Sequence, residues 1–119
     1  MTAPTSSSRL GLWLIGAKGG VATTVMTGLA ALQQRAIDPV GLVTTTDPFT
    51  RLGLVDFSDI VVGGHDIRSG SLADEARKMW TASRAITPDL LDAAAGFFAA
   101  TEPRLRAGTI VSAGDTIRT

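Results

Sequence analysis

From Leu10 onward the hydrophobic positions come first as a block, LGLWLI, and then as a spaced series, and the change of rhythm falls on a cluster of glycines. The block, Leu10 to Ile15, is dense enough in apolar residues to be a strand buried on both faces, as in parallel sheets. Val21, Val25, Leu29 and Leu32 then recur at spacings of four, four and three, with Ala22, Met26 and Ala30 beside them. That spacing predicts a helix with one apolar stripe, ending near Ile37-Asp38-Pro39. "VGLVTTTD", Val40 to Asp47, predicts a second extended segment, and "DIVVGGHDI", Asp59 to Ile67, a third, β-branched and closed by glycines. Ser71 stands three residues before Asp74 and opens "LADEARKMW", a capped amphipathic helix. Thr87 as N-cap and Pro88 as first helical residue begin another through "TPDLLDAAAGFFAA", and "TIVSAG", Thr109 to Gly114, reads as one more strand. Strands alternating with helices predict an α/β layer with a mainly parallel sheet.

Composition narrows what such a layer can do. A chain of 119 residues suffices for one domain with a core and is too short for two. Eleven Lys and Arg balance 11 Asp and Glu, so no electrostatic footprint points to nucleic acid or an anionic membrane. Zero cysteines exclude disulfides, thiolate metal sites and a cysteine nucleophile, and fit a cytoplasmic setting. "MTAPTSSSR" reads as a flexible leader, residues 1–9, and the apolar run after it is stopped by Lys18, well short of a bilayer span of roughly 20 residues. The expectation is a soluble protein without a signal peptide.

The glycine cluster, Gly16, Gly19 and Gly20, lies between a predicted strand and a predicted helix. A phosphate placed there would meet unpaired backbone N–H groups and the positive end of a helix dipole, where side chains would block its approach. A tight connection that binds nothing is the plain alternative. Against the dinucleotide pattern G-x-G-x-x-G, Lys18 occupies the second glycine position and Val21 the third. Against G-x-x-x-x-G-K-[ST], the "KGGxGKT" loop of partition-type ATPases, Ala22 and Thr23 stand where the second glycine and the phosphate-binding lysine belong. Thr23 and Thr24 could hold magnesium, although a threonine in a first helical turn more often bonds backbone. A dinucleotide also needs an acid at the end of the next strand for the adenosine ribose, about 20 residues beyond the glycines. By spacing Asp47 fits better than Asp66, which comes far later, but Asp47 opens an Asp-Pro turn, which gives it a purely structural role as an equal alternative.

"GAKGGVATT" followed by a helix, and "DIVVGGHDI" with its late aspartate, together resemble the inositol-3-phosphate synthase family, also called myo-inositol-1-phosphate synthase. The likeness runs from about Leu10 to the end, with its specific part in those two motifs. It implies an incomplete Rossmann-like α/β domain, a mainly parallel sheet with flanking helices over residues 10–119, and NAD as cofactor. Gly16, Lys18, Gly19 and Gly20 would line the pyrophosphate and Val21 would begin the helix, while Asp66 and Ile67 would hold the adenosine end. Lys18 departs from the asparagine-rich loops of many members, and His65 stands where some have tryptophan; a lone histidine there is read as packing or surface.

The family converts glucose 6-phosphate to inositol 3-phosphate by oxidation at C5, enolisation, aldol closure and reduction by the same NADH, in inositol and phospholipid biosynthesis. Its catalytic lysines lie in a downstream domain, whereas the lysines here are Lys18 and Lys78. The resemblance therefore implies an N-terminal fragment, inactive alone, of a homo-oligomeric cytoplasmic isomerase with no metal in this part. Two other readings stand beside it: an ATPase-like protein with a degenerate loop, and a non-catalytic Rossmann remnant.

Overall fold

The computed structural model describes residues 9–112 and 114–115. Over these described residues it is an α/β protein with a three-stranded parallel sheet and three α-helices, in a Rossmann-like arrangement. Strand β1 (Leu10–Ile15) leads through the glycine turn into helix α1 (Gly20–Gln33). Strand β2 (Ile60–Asp66) follows, then helices α2 (Leu72–Ser83) and α3 (Pro88–Thr101), and a short strand β3 (Leu105–Ala107). The sheet order is β1-β2-β3. The leader reading concerns residues that, apart from Arg9, lie outside those described.

Alternation along the strands divides the sheet into two unlike faces. Leu12, Leu14, Ile60, Val62 and Leu105 turn toward a core built from Met26, Leu29 and Ala30 of α1, Leu72 and Ala76 of α2, Ile86, and Ala94 and Phe98 of α3. All three helices thus share one core with one face of the sheet. On the alternate positions, Trp13 is 52% and Ile15 81% exposed, so β1 is not the doubly buried strand its composition predicts. Nothing among the described residues covers that face enough to bury them.

Helix α1 is rotated from the stripe the spacing predicts. Val21 and Val25 face solvent, while Thr23, Met26, Thr27 and Ala30 are buried. The threonines can enter the core because their hydroxyls bond back to the helix: Thr23 Oγ1 donates to the Gly19 carbonyl at 2.9 Å and Thr27 Oγ1 to the Thr23 carbonyl at 2.7 Å. The helix also ends earlier than Pro39 would require. Arg35 adopts a left-handed conformation (φ 56°) and the Ala36 N–H closes on the Ala31 carbonyl at 2.8 Å.

Val40–Asp47 is not a strand. Val43–Thr45 forms a 3-10 turn in which Thr45 and Thr46 donate their hydroxyls to the Leu42 and Val43 carbonyls, at 2.7 and 2.6 Å. Threonine closes local turns as readily as it fills strands, and among the described residues no strand pairs with this segment. The predicted strand over Thr109–Gly114 is likewise absent from its described residues; β3 instead forms just before it, at Leu105–Ala107. The later helices start as expected, with Ser71 accepting from the Asp74 N–H at 3.1 Å and Thr87-Pro88 opening α3.

Candidate functional site

With Val40–Asp47 out of the sheet, the strand after β1 is β2, and Asp66 closes it. The parallel register pairs Ile15 with His65, so the carboxyl ends of β1 and β2 finish level. Gly16 and Ala17 both donate their N–H groups to the His65 carbonyl, at 2.9 and 3.1 Å, which pins the start of the glycine turn to the end of β2. Gly16 has φ +86°, a conformation that side chains other than glycine resist. The turn closes when Gly19 N–H returns to the Gly16 carbonyl at 2.9 Å.

The close fit between turn and strand depends on Gly64. A Cβ there would lie 2.3 Å from the Leu14 carbonyl oxygen and 2.9 Å from the Ala17 methyl. The two glycines of "VVGGHD" therefore sit inside β2 rather than closing it: Gly64 receives the turn on one face and Gly63 receives the Trp13 indole on the other. A glycine pair within a β-branched run is the sequence signal for such close approach.

Asp66 and Lys18 meet directly. Asp66 Oδ2 accepts from the Lys18 N–H at 2.8 Å and Oδ1 from the Arg68 N–H at 2.9 Å. Lys18 Nζ donates to the Arg68 carbonyl at 3.2 Å, and the Arg68 guanidinium returns a bond to the Lys18 carbonyl at 3.0 Å. Partial burial pushes the Asp66 carboxyl up, but the N–H groups of Arg68 and Lys18 and the nearby Arg68 charge outweigh it and hold it below the ordinary aspartate value. Arg68 is the residue that the sequence reading missed; what identifies it is its place two residues beyond the aspartate, facing the turn.

Of the residues predicted for the site, Gly16, Lys18, Gly19, Gly20 and Val21 form one continuous turn and helix start, with α1 beginning at Gly20. Asp66 joins them, and Ile67 follows it, 48% exposed. Among the described residues, the N–H groups of Gly20, Val21 and Ala22 have no hydrogen-bond acceptor. Gly19 has no side chain to obstruct them: a Cβ would stand 3.2 Å from the Gly16 carbonyl oxygen and 3.5 Å from the Arg68 guanidinium. Backbone donors, two cations and a helix N-terminus at the carboxyl ends of parallel strands suit an anionic phosphate group.

The competing candidates are placed elsewhere or otherwise engaged. Asp47 lies in a loop, where Thr50 donates its hydroxyl to one carboxylate oxygen and Arg51 stands 4.0 Å from the other. Thr23 and Thr24 turn their hydroxyls onto the Gly19 and Gly20 carbonyls. His65 accepts from Trp13 Nε1 at 3.0 Å through Nδ1. No group of three or more His, Cys, Asp or Glu that could hold a metal occurs among the described residues. A surface concavity of about 580 Å³ runs along α2, lined by Asp74, Glu75, Arg77 and Lys78, and takes in none of the turn residues. Lys78 is paired there with Glu75 at 3.0 Å. Among the described residues no helix is long and apolar enough to cross a membrane.

No family model and no curated protein matches this sequence. Fold and turn together define a Rossmann-like α/β protein.

Proposed function

We propose that this chain is the NAD-binding portion of a cytoplasmic isomerase similar to the inositol-3-phosphate synthases, acting on glucose 6-phosphate. The observation that carries the reading is the meeting of the glycine turn with Asp66 at the level ends of two adjacent parallel strands. In a dinucleotide site the acid belongs at the end of the strand after the turn, and β2 is that strand. The long sequence gap before Asp66 is filled by loop and 3-10 turns, not by an intervening strand.

The residues present fit the phosphate part of NAD. Gly20, Val21 and Ala22 would donate their free N–H groups to the pyrophosphate, with Gly16 and Gly19 leaving room for it. Lys18 would lend positive charge. Asp66 keeps a spare lone pair on each oxygen for ribose hydroxyls, and the exposed side chain of Ile67 offers apolar surface to the adenine. When bound, NAD supplies the hydride acceptor, and later the donor, for redox chemistry at C5 of the sugar. The partition-type ATPase reading loses ground because the hydroxyls it would use are bonded to helix carbonyls.

Titration of the chain with NAD, and separately with ATP and magnesium, tests the proposal. Saturable, metal-independent NAD binding is expected; magnesium-dependent ATP binding without NAD binding would overturn it.

A further inference from the structure

Within the turn, the N–H groups of Gly16 and Ala17 are held by the His65 carbonyl and that of Gly19 by the Gly16 carbonyl. The N–H of Lys18 alone among these four is held by a side chain, the carboxylate of Asp66. The other oxygen of the same carboxylate takes the Arg68 N–H, so one group ties the middle of the turn to the exit of β2. The side chains of Lys18 and Arg68 repeat that tie in both directions, each donating to the other's backbone carbonyl.

We propose that Asp66 is a positioning residue for phosphate: through the Lys18 N–H it fixes the glycine turn so that the free N–H groups of Gly20, Val21 and Ala22 present themselves together, apart from any contact with ribose. This rests on the reading of the turn as a nucleotide site. It reverses the sign of an electrostatic expectation. Removing a carboxylate beside an anion site relieves repulsion and strengthens anion binding, if that carboxylate only touches the ribose. If it holds the turn, its loss loosens the donors and anion binding weakens despite the relieved repulsion.

The test compares wild type with Asp66→Ala, which removes both acceptor oxygens and the charge, using amide hydrogen exchange on the free protein and calorimetric titration with inorganic pyrophosphate, which has no ribose, and with NAD. Exchange at the Lys18 and Arg68 amides is expected to rise about tenfold, the size of one charge-assisted hydrogen bond, with Gly16 and Ala17 unchanged. Affinity for pyrophosphate and for NAD should fall together. Unchanged exchange at Lys18, or pyrophosphate binding that is equal or tighter in the variant, would overturn the proposal. So would a wild type that binds NAD and takes up no pyrophosphate. A wild type that binds neither refutes the nucleotide reading itself, a distinct result. Should circular dichroism show Asp66→Ala unfolded, Asp66→Glu keeps the charge and moves it by one methylene: faster Lys18 exchange with weaker pyrophosphate binding is then expected, and both unchanged would overturn the proposal.

Discussion

A methyl group added at Gly19 would come to 3.2 Å from the Gly16 carbonyl oxygen, and a β-branched side chain would extend beyond it beside the free amides of the first turn. Gly19→Val is therefore expected to weaken NAD binding at least about tenfold while leaving the far-ultraviolet circular dichroism unchanged; unaltered affinity would remove the turn from the site. Asp66→Ala should cost more NAD affinity than Asp47→Ala, because the Asp47 carboxylate serves Thr50 and Arg51 in its own loop. A larger loss at Asp47 would contradict the assignment. The Asp66 carboxyl, held below its ordinary value, binds its proton less readily folded than unfolded. Its contribution is thus complete above the ordinary aspartate range and disappears as pH falls through the lower folded value. Thermal melts of wild type and Asp66→Asn should converge on acidification through that window, and a constant gap would contradict the direction. The strand, glycine turn and helix start were legible from residue type and order, whereas spacing alone favoured Asp47 over Asp66, which only the family resemblance singled out; that Asp66 meets the turn follows from the pairing of β1 with β2. Arg68 was not legible, because its meeting with Lys18 depends on a register between strands that neither segment specifies alone.

Helices α2 and α3 were readable because their start signals are local. Ser71→Ala should lower stability by about 1 kcal/mol, the usual cost of an N-cap, as measured by denaturant unfolding. Helix α1 was readable in existence and not in rotation. Two buried threonines, made tolerable by bonds to carbonyls one turn back, hide the face that a count of apolar residues seeks. Val40–Asp47 failed as a strand for a related reason: its threonine hydroxyls find acceptors three residues away. Strand β2 shows the opposite case, where glycines that look like terminators are structural seats. Gly64→Ala would drive a methyl into the Leu14 carbonyl, so a loss of stability beyond about 1–3 kcal/mol is expected, with disordering of the turn. A melting temperature equal to wild type would show that β1 and β2 can separate freely.

At the scale of the described residues, one sheet face is covered and the other, carrying Trp13 and Ile15, is bare, whereas parallel sheets are generally covered on both. Parallel order was legible from alternating elements; the bare face was not, because an apolar strand reads the same whether its second face is covered or open. The chemistry proposed for the isomerase needs ammonium groups converging on an enolate and a phosphate. Lys18 is engaged with the Arg68 carbonyl and Lys78 with Glu75, and arginines such as Arg104 and Arg106 do not trade protons near neutrality. Incubating this chain with NAD and glucose 6-phosphate is accordingly expected to yield no inositol phosphate, and turnover would contradict that division of labour. The most direct measurement is a calorimetric titration of the chain with NAD, in the presence and absence of magnesium, alongside Gly19→Val. Metal-independent binding at one site, lost in the variant, is the predicted result; no binding of NAD to a folded wild type, or equal binding by both proteins, would contradict it.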